Sequence, residues 1–436
     1  MLVYTAAISA KANVITVTNT NDSDPGSLRQ ALVDASDGDT INFAVTGTIG
    51  LTSGELVVDK SITISGPGAD SLAISVNVNV HFRVFNIRPG TNVSISQLKI
   101  MHGDVRISLG DGGAILNDHA VLALNNCTVD SNTATRGGGI YNDGQNGTAT
   151  LTISNSRVTY NTSTNVTRAE GGGIYNNAAN GSAVLTIVNS TISHNSAIGT
   201  DFFHNEVGFA GGIYNSGGTL TIINSTVSEN HAGGGFNASP GWAGGIYSDG
   251  TLTISNSTLD YNTAAANGNG GAGGGIFNLG VLMIAESTLS DNRGTHGGGI
   301  YNNTGSVSIG NTILNRGDAL GDNISNGDGT ITSEGYNISS DDGSGYLTGP
   351  GDQINTNPLL GPLQDNGGPT LTRALFVGSP AIDAGDPNFT PPPSYDQRGS
   401  PFVRVFNGRI DVGSFEWQPI RPAPAPRTRP TPVPRR

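Results

Sequence analysis

The sequence predicts an all-β chain: a right-handed, single-stranded parallel β-helix, a solenoid of about ten coils with one capping helix at its N-terminal end. Three observations lead there. A GGIYN-like stretch occurs six times, an apolar-alternating LTI-type run follows each copy, and a third short run of TVS type comes next and usually ends in asparagine.

The glycine stretches are GGGIYN (137–142 and 171–176), GGIYN (211–215), GGIYS (244–248), GGGIFN (273–278) and GGGIYN (297–302). The paired runs are LTISNSRVTYN (151–161), LTIVNSTISHN (185–195), LTIINSTVSEN (220–230), LTISNSTLDYN (252–262) and LMIAESTLSDN (282–292), with LALNNCTVDSN (122–132) and VSIGNTILNR (307–316) as degenerate copies. Between Leu124, Ile153, Ile187, Ile222, Ile254, Ile284 and Ile309 the spacings are 29, 34, 35, 32, 30 and 25 residues. Three short β runs in such a period make one solenoid coil. Period-two alternation and β-branched residues mark strands. No amphipathic helix separates the runs, so βαβ crossovers are excluded.

Stacked coils place equivalent residues about 4.8 Å apart. The Leu and Ile of LTI, the Ile of GGIYN and the apolar residue of TVS then fill the bore. Asn155, Asn189, Asn224, Asn256 and Asn311 form an asparagine column at a bend, interrupted by Glu286, with Cys127 beside it as a small buried residue. Tyr141, Tyr175, Tyr214, Tyr247, Phe277 and Tyr301 form an outward aromatic column that fixes the register of the coils or, as an exposed ladder, engages carbohydrate. The glycines serve a corner where positive φ or close approach leaves no room for Cβ.

Segments between 41 and 100 continue the β pattern without the glycine corner and add about three coils. Before them, Pro25-Gly26 leads into SLRQALVDA, with Ser27 as N-cap and Leu28, Ala31, Leu32 and Ala35 on one face. This cap at 25–36 closes the first coil. Residues 1–12, MLVYTAAISAKA, read as the end of a signal peptide, with Ala10-Lys11-Ala12 as its A-x-A pattern but no basic n-region. From Gln418 the chain is a Pro/Arg-rich spacer expected to be disordered.

GSLRQA (26–31) followed by GDTINF (38–43) resembles the CSLREA-type opening of bacterial surface β-helix proteins, with Gly26 where that pattern has cysteine. The GGGIYN and TVSEN units resemble the repeats of chlamydial polymorphic outer membrane proteins. NPLLGPLQDNGGPTLTRALFVGSPAIDAGD (357–386), DQRG (396–399) and RIDVGSFEW (409–417) are similar to the choice-of-anchor Q domain of secreted bacterial proteins. These resemblances imply a secreted or cell-surface bacterial protein, with 13–316 as the β-helix and 317–417 as its last coils and C-terminal domain.

Composition narrows the function. A formal net charge of -13 with only 13% charged residues disfavours nucleic acid and anionic membrane as partners. A single cysteine excludes an internal disulfide framework. No apolar stretch is long enough for a transmembrane helix, and the chain reads as a monomer. GNGGAG (268–273) has G-x-G-x-x-G spacing at Gly268, Gly270 and Gly273 but lacks the strand before it and the helix after it that a dinucleotide site needs. No cofactor is implied. The acidic turns NGDGT (326–330) and SSDDGSG (339–345) have ligand types that suit calcium, and they are also ordinary turn sequences.

Insertions accumulate at one corner: 163–170, 196–210, 231–243 and 263–272. Side by side on one face, they bring Phe202, Phe203, His204, Glu206, Phe209, Phe236 and Trp242 together. Next to them runs a column of Tyr160, His194, Glu229, Tyr261 and Asp291. Ring faces for sugar and carboxylates for hydroxyls make this a candidate glycan-binding face. Equally, the aromatics hold the loops down and the column is a solvated edge. Two function classes compete. One is a non-enzymatic, adhesin-like or polysaccharide-binding scaffold. The other is a polysaccharide lyase or glycoside hydrolase on a pectate-lyase-like β-helix, in which His194, Glu229 and Asp291 carry the chemistry.

Overall fold

In the computed structural model the residues described are 12–419, except 109, 201–206, 235–239, 266–270, 318 and 320. The chain winds into three long parallel sheets, of twelve, ten and eleven strands, that wrap a single bore. One coil shows the plan. Ile140–Asp143 lies in the ten-stranded IYN sheet, Thr148–Ser154 in the twelve-stranded LTI sheet and Arg157–Thr159 in the eleven-stranded TVS sheet. Equivalent residues pair in register from coil to coil, so Leu151 meets Leu185 and Ile153 meets Ile187. The predicted inward rows are the core, with Leu151, Ile153, Val158 and Ile174 completely buried.

The capping helix α1 (Leu28–Asp34) forms as expected. Ser27 accepts from the Gln30 backbone N–H at 3.2 Å, and Leu28, Ala31 and Leu32 are buried over the first coil. None of the described helices is long and apolar enough to cross a membrane.

The glycine corner separates two physical demands. Its first residue is left-handed, at +58° in Gly137 and +61° in Gly171, yet Ala210 and Ala243 hold the same conformation at +58° and +61°. The second position is stricter. A Cβ on Gly172 would lie 2.3 Å from the Ser196 carbonyl oxygen and 2.4 Å from that of Gly211. Close packing of adjacent coils, more than positive φ, demands glycine there.

Asparagine ladders are more extensive than the sequence suggested. The column at Asn155, Asn189, Asn224, Asn256 and Asn311 marks a left-handed bend, with φ of +48° to +51°, and Asn155 within it is exposed. Two other ladders are buried. Asn132, Asn161, Asn195, Asn230, Asn262 and Asn292 pass amide hydrogen bonds of 2.9 to 3.0 Å up the bore wall. Asn117, Asn142, Asn176 and Asn215 do the same at 2.6 to 2.8 Å. Ser248 accepts from Asn215 at 3.0 Å, and among the described residues Asn278 Oδ1 has no partner, so the run breaks there. Cys127 occupies a slot that is serine in the next five coils, at Ser156, Ser190, Ser225, Ser257 and Ser287, and burial pushes its thiol up to about 11.

The aromatic column does point away from the bore, and its rings stack at centroid spacings of 4.5 to 5.2 Å. It is not an exposed ladder. Ala210, Ala243, Ala272, Phe209 and Trp242 roof it, and Tyr141, Tyr175, Tyr214, Tyr247 and Phe277 are buried. These side chains cannot reach carbohydrate, which leaves the register-fixing role.

The insertions line up as predicted. Thr162–Asn165, Ser196–Gly199, His231–Gly233 and Thr263–Ala265 extend a five-stranded sheet, and Arg168–Glu170 pairs with Val207–Phe209. Residues 357–417 then fold back along the outside of the TVS sheet, anchored by hydrogen bonds to Thr226, Thr258 and Thr288.

Candidate functional site

The column named from the sequence sits at a second left-handed bend, between the TVS strand and the buried asparagine that follows. Tyr160, His194, Glu229, Tyr261 and Asp291 all have φ between +52° and +56°. Such a conformation is costly away from glycine, and the buried asparagine ladder next to it holds it in place. One side chain per coil therefore projects from this edge.

The column is not one site. At its N-terminal end the Tyr160 and His194 rings meet at a centroid distance of 4.7 Å, and His194 Nε2 lies 2.8 Å from Glu229 Oε2. His194 Nδ1 is buried with no partner among the described residues. Two coils on, the column belongs to the C-terminal segment. Arg373 bonds Asp260 through Nε at 3.0 and 3.1 Å, reaches Asp291 through Nη2 at 2.5 Å, and lies 5.1 Å from the Tyr261 ring centroid. Asp291 is thus removed from the proposed catalytic trio by a structural ion pair. His194 and Glu229 remain together.

Asp260 is completely buried. Burial pushes its carboxyl up to about 7, while the Arg373 guanidinium pulls in the opposite direction. It takes the place of a hydroxyl, since neighbouring coils carry Ser193, Ser228 and Ser290 at that position. That substitution was the one signal in the sequence that a partner from outside the repeat docks here.

The docking segment makes a wall. Gln397, from the DQRG stretch, is completely buried; its Nε2 donates to Thr226 Oγ1 and Thr370 Oγ1, both at 3.0 Å, and its Oε1 accepts from Thr258 at 2.6 Å. Arg398 pairs with Asp396 and has the Phe402 and Phe415 rings each 3.7 Å from its guanidinium carbon. Glu286, the interruption in the surface asparagine column, is raised by burial and offset by the charge of Arg404 from this segment.

Between the wall and the open coils lies a cleft of about 330 Å³. Arg157, Thr159, Tyr160, Thr191, Ser193 and His194 line it from the β-helix; Asp365, Gly368, Pro369, Thr370 and Leu371 line it from the wall. Tyr160 is 56% exposed, so its ring face is accessible. Cation, hydroxyls, ring and carboxylate converge in a space near the lower end for small-ligand sites.

The other sequence candidates are placed differently. Phe202, Phe203, His204, Glu206, Phe236, Gly268 and Gly270 lie outside the described residues. Trp242 is half-buried and packs edge-on against Phe277 at 5.2 Å, which makes it part of the roof over the aromatic stack. In the acidic turn at 339–345, Asp341 accepts from Ser339, Gly343 and Asn323, and Asp342 accepts from Ser344. Asp118, His119 and Asp143 have ligand-type atoms within 4.8 Å of one another. His119 uses both ring nitrogens, toward Asp118 at 2.5 Å and the Gln145 carbonyl at 2.7 Å, and these contacts raise its pKa. A metal bound there would have to displace these contacts.

No family model and no curated protein matches the chain. Among solved structures, pectate lyase Pel9A aligns with a TM-score of 0.57 at 15% identity, over 94% of this chain and 97% of its own. A Geobacillus virus E2 protein, ORF18, aligns at 0.37 with 14% identity over 73% of this chain and 61% of its own. A PL6 alginate lyase in complex with trisaccharide aligns at 0.34 with 12% identity over 76% and 80%. The likeness to Pel9A establishes the class of fold, a right-handed parallel β-helix.

Proposed function

We propose that the protein is a secreted or cell-surface β-helix that binds polysaccharide without cleaving it, and that the cleft between the open coils and the wall takes the sugar. The observation that carries this reading is the exposed Tyr160 ring, set among the Arg157 guanidinium and the hydroxyls of Thr159, Thr191 and Ser193. Pyranose faces stack on such rings, and the cation suits an acidic sugar. The resemblance to choice-of-anchor Q proteins supports surface presentation, and the fold shared with a pectate lyase supports a polysaccharide ligand. Affinity electrophoresis against polygalacturonate, alginate and neutral glucans tests it. Retardation by at least one polymer, lost in both Tyr160→Ala and Arg157→Ala, is expected. Retardation that survives both changes places the ligand elsewhere.

A second reading is favoured by one pair. His194 lines the cleft and lies 2.8 Å from Glu229, a pair able to move a proton. Incubation with the same polymers, with and without calcium, decides between the two. Oligosaccharide release that disappears in Glu229→Gln replaces the binding reading with lyase or hydrolase activity.

A further inference from the structure

The outer face of the TVS sheet changes character partway along the helix. Lys99, Thr128, Arg157 and Thr191 follow one another in register, and all four are at least partly open to solvent. The next position, Thr226, is completely buried, as is Thr258 after it. The cause is the wall. Thr226 donates to the Leu371 carbonyl at 2.7 Å, and Gln397 bonds both threonines.

The wall has little freedom to move aside. Its anchors fall on three successive coils, at Thr226, Thr258 and Thr288. Behind its lip, a Cβ on Gly368 would lie 2.7 Å from the Arg398 Cα, so the turn leading to Pro369 is pressed against the DQRG stretch. The lip itself presents Asp365, Pro369, Thr370 and Leu371 toward Thr191 and Ser193.

A track that is open over the earlier coils and walled at Thr226 is blind at one end. From Lys99 to Thr191 it spans three coil steps of about 4.8 Å, or about 14 Å, enough for a short oligosaccharide. A polymer lying on it cannot continue past the wall. We infer that the cleft recognises the free end of a polysaccharide chain rather than its interior, with the terminal sugar between Tyr160 and the lip and the Asp365 carboxylate accepting from its hydroxyls. This inference rests on the glycan reading given above.

Stoichiometry tests it. Polygalacturonate, alginate and neutral glucans, each fractionated by length from short oligosaccharides to long polymer, are titrated into the intact protein and followed by calorimetry and by light scattering of the complex. The expected result is one protein per chain at every length, a molar affinity that changes less than threefold with length, and a loss of about tenfold in Asp365→Ala at unchanged melting temperature. Several proteins per long chain, in proportion to length, overturn the inference while leaving the glycan reading intact. A fold-normal Asp365→Ala protein that binds as tightly as the parent removes the lip from the site and also overturns it. No binding of any fraction by either method sinks the glycan reading, and the inference falls with it.

Discussion

The two halves of the TVS sheet start from the same repeat and end with opposite fates. In the half that ends at Thr191 the outward strand positions Lys99, Thr128, Arg157 and Thr191 all stay at least partly open to solvent. In the half that begins at Thr226 they are sealed under the C-terminal segment, and the same row of hydroxyls becomes a docking strip for Gln397 and Ser414. The repeat therefore supplies a uniform scaffold, and the departures from it mark both the docking strip and the cleft. Asp260 breaks the hydroxyl row to receive Arg373; Tyr160, 56% exposed, occupies an edge that the wall leaves open.

The most direct way to break this contrast is Arg373→Ala. It strands Asp260 as a buried carboxylate without its cation, and urea unfolding should show a loss of about 3 to 5 kcal/mol. Adding Asp260→Ser, the residue found in neighbouring coils, should restore most of it. If the double variant is as unstable as the single one, the pair is not what holds the segment. Trp242→Ala sharpens the comparison from the other side of the coil. Because the indole roofs the aromatic stack, a loss of about 2 kcal/mol is expected in the same assay, and an unchanged midpoint returns Trp242 to the list of free binding residues.

A smaller effect concerns pH. Burial, reinforced by the charge of Asp383 beside Asp411 and by that of Asp411 beside Glu416, raises the carboxyl groups of Asp411 and Glu416 in the C-terminal segment. The folded chain then keeps protons that the unfolded chain has released, and the linked stability falls as protons leave the native state. That contribution is complete below about pH 4, the ordinary carboxylate range, and is lost as pH rises through the raised values. Melting temperature should decline between mildly acidic and mildly alkaline pH, and Glu416→Gln should flatten the decline. A melting temperature that climbs across that interval contradicts the assignment. The smallest effect on stability belongs to the open half: Tyr160→Ala should change folding by less than about 0.5 kcal/mol while weakening glycan binding by about tenfold, a contact worth about 1.4 kcal/mol. A large loss of stability would make the ring structural.

Much of this architecture is legible in the residue order because it is local. The 25- to 35-residue spacing, the inward LTI rows, the Ser27 cap and the clustering of insertions each follow from neighbours along the chain or from strict repetition. What is hidden depends on partners far away in sequence. Gln397 meets Thr226 across 171 residues and Arg373 meets Asp260 across 113, and no periodicity announces such contacts. The asparagines show an intermediate case. Repetition reveals that Asn155 and Asn161 both recur, but only coil closure determines that the first lies at the surface and the second is buried. Likewise the alternation shows that Tyr141 turns outward but cannot show the roof above it.

The buried asparagine ladders bear on how such a chain can grow. In the open half Asn161, Asn142 and Asn176 each accept from the coil on one side and donate to the coil on the other, so a whole coil duplicated there would rejoin the ladder without a mismatch and lengthen the track. The same duplication between Thr226 and Asp291 would move Gln397 and Arg373 one rung out of step with their partners. Evolution, or a designer, is thus free to adjust the length of this molecule upstream of the wall and is held to a fixed gauge beneath it.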